Sequence, residues 1–323
     1  MLTLLAIVVF WVVQASALLV FAVPFTWAML ALCAVSHFLR AIGLTLSFHR
    51  YFAHRAFQMN RGVRFLWALI GTAAMQKGPL WWAGHHVNHH RFADREGDPH
   101  SPAVSGVFYA HIGWFLNDAR HDHIASTNPV IRDFSRAPEI VWLDRFYFLP
   151  PLLLAVVLYA AGGLQWLVWG FCVPTVTLAH ATFAINTVNH MFGSRRFATP
   201  DDSRNNAFTA FFAAGEGWHN NHHRFQRAAR NGFYWWEFDP TWYVIRGMEI
   251  VGLAWDVQVV PPRVYAEARL QRRADMRRAI MGRVSSRPAG ARTQERDPRA
   301  GRRTALDSDR RLREVTRNRS ASA

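Results

Sequence analysis

The sequence of 323 residues is 51% hydrophobic and carries a formal net charge of +15, yet its mean hydropathy is only −0.02. The charge is unevenly spread: residues 263–323 hold 18 arginines against seven acidic residues, a net of +11, and residues 1–262 carry +4. A nucleic-acid-binding domain, which would wear its charge on the folded body, is thereby excluded, and 14 Trp with 24 Phe exclude a wholly disordered chain.

Residues 2–23 contain no formal charge and are too long for the apolar segment of a signal peptide. Roughly 20 apolar residues cross a bilayer, so this run predicts a first transmembrane helix. After Pro24, residues 25–48 predict a second, with His37 and Arg40 as polar intruders and a short uncharged turn between the two. Residues 49–145 carry ten arginines and the single lysine, Lys77, and the apolar run Val63–Met75 is too short to span, so it predicts an interfacial or buried helix. A second hairpin follows, residues 146–161 and 164–183, joined at Gly162-Gly163. Arginine-bearing segments stay on the cytoplasmic side. That rule places both termini and both polar regions in the cytoplasm and the uncharged turns across the membrane. Cys33 and Cys172 both sit in apolar runs and read as small buried side chains. The domain of interest is thus residues 1–262, and residues 263–323 read as a disordered Arg-rich tail, solvated or attracted to anionic headgroups.

Sixteen histidines are present, and their spacing is the informative feature. His49 and His54 stand where the second apolar helix leaves the bilayer. His86, His89 and His90 form one HxxHH set, and His219, His222 and His223 form another. Asn186 and His190 close the fourth apolar helix. Helical positions i, i+3 and i+4 share a face, so each HxxHH set can aim three imidazoles at one point, and Asn186 with His190 shares a face too. His49 and His54 would be about 140° apart on an α-helix, so they converge only if the helix ends or distorts, or they serve two different metals. Nine histidines exceed what one ion takes, which predicts a dimetal site at the membrane surface. Imidazole suits Fe, Zn, Cu or Ni, and closed structural zinc sites usually include thiolates that are absent here. His111, His121, His123 and His180 read as ordinary hydrogen-bonding residues, and His85 as lying behind the ligands or at the surface.

From about Ala34 to Asp256 the chain resembles the membrane-bound fatty acyl desaturases of the stearoyl-CoA, delta-9 type, most closely bacterial members. The resemblance rests on Gly43-Leu44-Thr45-Leu46-Ser47-Phe48-His49-Arg50, Asp98-Pro99-His100, His111-Ile112-Gly113-Trp114, Asn186-Thr187-Val188-Asn189-His190, Gly215-Glu216-Gly217-Trp218-His219 and Gly252-Leu253-Ala254-Trp255-Asp256. It implies an all-α integral membrane fold, four transmembrane helices in two hairpins under a cytosolic helical cap, in a bacterial inner membrane. It further implies that His49, His54, His86, His89, His90, His190, His219, His222 and His223 hold two iron ions, with Asn186 reaching one through water. The implied reaction is O2-dependent dehydrogenation of a saturated C16–C18 acyl chain to a cis double bond, with O2 leaving as two waters. Such a reaction needs electrons, and neither a heme-binding His-Pro-Gly-Gly motif, a Gly-rich dinucleotide fingerprint nor a Cys cluster is present. A separate ferredoxin, rubredoxin or cytochrome b5-like donor with its reductase is expected.

Two departures bear on the acyl carrier. The family's animal acyl-CoA members have Arg-Asp where this chain has Gly84-His85, and a basic pair where it has Asn117-Asp118, so acyl lipid or acyl carrier protein competes with acyl-CoA. By the same resemblance His37 and Ala41 lie at the end of the acyl tunnel, and Gln76 and Trp82 near the acyl head region. A di-iron hydroxylase of fatty acyl chains or alkanes, and a non-enzymatic His-rich metal-binding membrane protein, are the alternatives.

Overall fold

The hydroxyl of Thr26 accepts a hydrogen bond from Met29 N at 3.2 Å, satisfying one of the donors a helix start leaves unpaired, and so opens the second long helix. The computed structural model describes residues 2–117 and 129–285, and these are almost entirely helical. His121, His123, Asp118 and the tail beyond Ser285 lie outside the described residues. The longer helices are α1 (Leu2–Ser16), α2 (Trp27–Gly43), α3 (Arg61–Thr72), α4 (Pro79–Phe92), α5 (Pro138–Arg145), α6 (Leu149–Leu167), α7 (Val173–Met191), α8 (Ala207–Phe212), α9 (His219–Arg224), α10 (Pro240–Ile250) and α11 (Pro262–Ser285). The all-α expectation needs one small amendment: Gln58–Met59 pairs antiparallel with Ala254–Trp255, Gln58 opposite Trp255.

Three stretches, Leu4–Ala22, Trp27–Ala53 and Leu149–Met191, are long and apolar enough to cross a membrane. The third has 43 residues, about 65 Å of helix and twice the ~30 Å hydrocarbon core. It breaks at Gly162 and Gly163, where the backbone leaves helical geometry and Gly163 takes a φ of +63°, a conformation open to glycine at little cost. The chain folds back at that point. A Cβ on Gly170 would stand 3.0 Å from Leu158 Cδ1, whereas 12 residues of straight helix would separate the two by about 18 Å. Just past the break, Gln165 Nε2 donates to Pro24 O at 2.9 Å, and the Phe25 and Trp169 rings meet edge-on at 5.7 Å. The two uncharged turns therefore lie side by side at one end of the bundle. Leu4, Leu5, Val8 and Val12 on α1 and Leu152, Leu153, Val156 and Val157 on α6 are exposed, as side chains that face lipid would be.

At the other end the apolar residues turn inward. Phe48, Phe52 and Phe57 pack with Ile131, Ile140, Leu143 and Ile245, joining the end of the second span to α5 and α10. Helix boundaries shift from those expected for physical reasons. The second span continues to Ala53 because residues Leu44–Ala53 switch to π-helical geometry instead of ending at residue 48. α7 runs on to Met191, carrying its polar last turns beyond the apolar run that ended at residue 183. The short helix expected at residues 63–75 starts at Arg61, capped by Asn60, and stops at Thr72. The segment expected to be a disordered tail from residue 263 begins as helix: α11 buries Val264 and Ala268 against Phe197 and Phe233, and the Tyr265 hydroxyl donates to Phe233 O at 2.9 Å. Met1–Arg272 forms one compact unit.

Candidate metal centre

His49 and His54 answer the question their spacing posed. A π-helix closes i to i+5, and His54 N donates to His49 O at 3.2 Å, so the two rings meet 4.8 Å apart. The helix distorts, and both side chains join one group. That group is His49, His54, His86, His90 and His222; a second is His89, His190, His219 and His223. Each HxxHH set, expected to aim three imidazoles at one point, is divided instead: α4 gives His86 and His90 to the first group and His89 to the second, and α9 gives His222 to the first and His219 with His223 to the second.

In the first group, His90 Nε2 lies 2.9 Å from His86 Nε2 and 2.8 Å from His222 Nε2, and His49 Nε2 lies 3.0 Å from His222 Nε2. In the second, His190 Nε2 lies 3.0 Å from His219 Nε2, and the buried Nε2 atoms of His89 and His223 have no protein partner. Two nitrogens each about 2.1 Å from one ion and at right angles would stand ~3.0 Å apart, which these separations match.

Behind the rings stands a layer of carboxylates. Nδ1 of His49 lies 2.6 Å from Glu216 Oε2, that of His89 2.9 Å from Asp98, that of His190 2.7 Å from Asp94 and that of His223 2.9 Å from Asp201. An imidazole that donates its Nδ1 proton presents a bare Nε2 lone pair, and such outer partners fix both tautomer and ring orientation. Burial, followed by the neighbouring imidazoles, pushes His54, His86, His90, His219 and His222 well below the usual histidine range, so their rings are neutral at pH 7 and able to present a lone pair. Burial holds His223 at about 4 against the pull of Asp201. Burial alone would raise the carboxyls, but the His190 hydrogen bond and charge hold Asp94 at about 2, and His89 and His223 hold Asp98 and Asp201 lower still. Among the described residues, Asp94, Asp98 and Asp201 have no arginine or lysine ion pair. Inward-facing lone pairs ringed by mostly buried anions call for cations at the centre of each group. The donor set therefore fits two metal ions.

Glu216 is tied further back. Arg50 is fully buried and uses all five N–H donors, toward Glu216 Oε1 twice, both oxygens of Asp239, and Ala229 O. Sequence reasoning missed this layer. Its signal was present, since ligating histidines take carboxylate partners, but Asp94 and Asp98 share one loop while Asp201 and Glu216 stand in two others, with no common spacing to the histidines. His100 was also missed: it is buried and stacks near His89, with ring centroids 4.4 Å apart, forming with Asp98 a grouping on the outer side of that ring.

Asn186 is half-buried on α7, one turn ahead of His190. His37 is buried, its Nδ1 3.0 Å from Thr177 Oγ1 and its Nε2 2.8 Å from Phe212 O. Ala41 is fully buried beside Leu178, Gln76 Nε2 donates to Thr182 Oγ1 at 2.9 Å, and Trp82 stacks on His86 at 5.1 Å. Leu178, Thr182, Asn186 and His190 form an i+4 row on α7. Ala41 and Gln76 thus touch the row that ends at a metal-facing histidine. An apolar groove nearby is lined by Phe10, Val13, Ala179 and Phe183, with Gln14, Lys77, Tyr147 and Thr175 bringing polar atoms to it. His111 and His180, by contrast, hydrogen-bond each other at 3.0 Å and join neither group, and His85 Nδ1 donates to Trp81 O at 2.7 Å while its ring stacks on that indole at 3.9 Å.

Comparison with known proteins gives the same direction. A profile of the fatty acid desaturase family matches residues 22–250. The chain is 40% identical over 233 residues to a palmitoyl-monogalactosyldiacylglycerol delta-7 desaturase of Arabidopsis thaliana, covering 72% of this chain and 61% of that one. It is 41% identical over 219 residues to an icosanoyl-CoA 5-desaturase of Limnanthes douglasii, covering 68% and 61%. It is 36% identical over 242 residues to an sn-2 palmitoyl-lipid 9-desaturase of Nostoc, covering 74% and 85%. The chain spans about three fifths of the length of the first two relatives. A family match across most of the folded unit, falling on every histidine of both groups, leaves one conclusion: the chain belongs to the fatty acid desaturase family.

Proposed function

We propose that this protein is an O2-dependent fatty acyl desaturase, inserting a cis double bond, at the delta-9 position, into a saturated C16–C18 acyl chain. The observation that carries the proposal is the pair of adjacent histidine groups, five and four strong, with a carboxylate behind four of the rings. Two iron ions held by the nine histidines, with Asn186 contributing through water, would supply the oxidising power that an unactivated C–H bond requires. The chain's own residues do the rest. Asp94, Asp98, Asp201 and Glu216 orient the imidazoles and balance charge. Trp82 and Gln76 hold the head region of the acyl chain, His37 and Ala41 limit how far its tail extends, and the surrounding apolar walls exclude water.

Four membrane crossings with the metal groups on the cytoplasmic side are part of the proposal, supported by the fold-back at Gly162–Gly163 and the adjacency of the two uncharged turns. Relatives named for lipid-linked and CoA-linked substrates match alike, and the missing basic pairs favour a lipid-linked chain. The bacterial inner membrane and an external one-electron donor with its reductase complete the proposal.

The test is expression in a bacterial host that makes no unsaturated fatty acid, together with a ferredoxin and its reductase, and fatty-acid profiling by mass spectrometry. Products two mass units lighter are expected. Products sixteen units heavier would assign hydroxylation instead, and an unchanged profile would overturn the proposal.

A further inference from the structure

Beside the first histidine group lies a solvent-open cavity of about 550 Å³, walled by Ala53, His54, Arg55, Val87, His90, Arg91, Val130, Gln226 and Arg227. Two of its walls are ring edges of the metal-facing group. His90 is the one histidine of the nine that is only half-buried; the other eight are buried. The cavity wall contains three arginines and no carboxylate. Arg55 is already engaged, donating to Val130 O at 2.7 Å and to Asp133 at 3.1 Å. Arg91 and Arg227 are exposed and make no ion pair among the described residues. The positive charge of this face is therefore uncompensated at the point where the metal-facing group comes nearest to solvent.

We propose that this cavity and its arginine rim are the docking face for an acidic one-electron donor protein, which approaches with its redox group over the His90 ring edge. The proposal rests on the desaturase reading, because that reaction is what demands electrons. An acyl segment –CH2–CH2– plus O2, two electrons and two protons gives –CH=CH– and two waters, and the donor supplies both electrons. Steering by two unpaired rim charges suits a partner that must bind, deliver and leave. A nucleotide is the poorer occupant: the wall offers no Phe, Tyr or Trp on which an adenine could stack, and Arg91 and Arg227 stand exposed on the rim rather than buried around a phosphate.

The test uses the full chain in lipid nanodiscs and a plant-type [2Fe–2S] ferredoxin as the probe, with affinity read by biolayer interferometry at about 20 and about 200 mM salt. Wild-type affinity is expected to fall with salt. Arg91→Glu with Arg227→Glu is expected to weaken binding at low salt by about tenfold or more and to flatten the salt dependence. Arg91→Gln with Arg227→Gln should fall between, and Arg246→Glu, at an exposed arginine elsewhere, should match wild type. Metal content and melting temperature of each variant report folding and loading. Unchanged affinity in the double charge reversal would overturn the proposal, as would equal weakening by Arg246→Glu or displacement of ferredoxin by free coenzyme A. Binding that maps to the two arginines in a chain that yields no unsaturated product would support this docking face while failing the desaturase reading.

Discussion

His49 and His54 stand five residues apart and nevertheless bring their rings within 4.8 Å, because the helix that carries them widens to π geometry over Leu44–Ala53. This convergence makes the first group five-fold, and His89, His190, His219 and His223 form a separate second group. Metal content should therefore divide by group. Wild-type protein purified from iron-supplemented cells is expected to hold about two ions per chain by plasma mass spectrometry. His54→Ala and His219→Ala should each fall toward one, and the double variant toward none. A chain in which His54→Ala removed both ions, with an unchanged circular dichroism spectrum, would contradict two separable sites.

The carboxylate layer predicts a graded effect. Asp98→Asn and Asp201→Asn keep the size of each side chain but replace the ionised acceptor behind His89 and His223. Loss of such a partner typically lowers metal affinity by 10–100-fold. Competition against a chelator of known affinity measures this directly, and affinity unchanged in both variants would remove the carboxylates from the metal site.

Arg50 predicts a stability effect that is separable from metal binding. Arg50→Met strands Glu216 and Asp239 in the interior without their cation, and breaking a buried pair in this way costs about 3–5 kcal/mol. The exposed pair of Arg246 and Glu249 is a control, worth about 0–1 kcal/mol. Thermal unfolding of the metal-free proteins in detergent should show a large loss for the first and little for Arg246→Ala.

Helix α4, which supplies both groups, depends on a single side chain at its start. Asp144 Oδ1 accepts from Leu80 N at 2.8 Å and Trp81 N at 3.0 Å, and Gly78 lies so close that a Cβ would stand 2.5 Å from Asp144 Cα. Asp144→Ala is expected to cost about 1–2 kcal/mol, and Gly78→Ala to strain the same junction. Burial raises the Asp144 carboxyl above its ordinary range against the pull of the two N–H groups. The fold thus favours the protonated form. Its contribution is complete below the unfolded pKa and is lost as pH rises through the raised folded value. Asp144→Asn keeps the accepting oxygen without the charge, so its stability relative to wild type should improve as pH rises across that window. A gap between the two that is constant with pH would refute the assignment.

The nine histidines were legible because both HxxHH sets sit on helices that bring them to one region, but spacing did not show that each set divides between two groups. The His49–His54 pair left two outcomes open, since its convergence depends on a backbone distortion that hydrophobic periodicity does not report. The carboxylates were invisible for a different reason. Asp98 reaches His89 from the loop nine residues on, and the others through the chain's return from farther away, as when Asp201 reaches His223 across 22 residues. The start of the tail was obscured by composition: Val264 and Ala268 are four apart and buried together, but the arginines around them hide that short apolar stripe.

Trp27–Ala53 is one unbroken helical rod whose first turns are apolar and exposed, whose last turn carries His49 and whose C-cap is His54. A bilayer that thickens or thins must tilt this rod or shift it along its axis, and His49 and His54 travel with it. In the membrane topology proposed above, a change of bilayer thickness would thus be carried to the first histidine group through one helix.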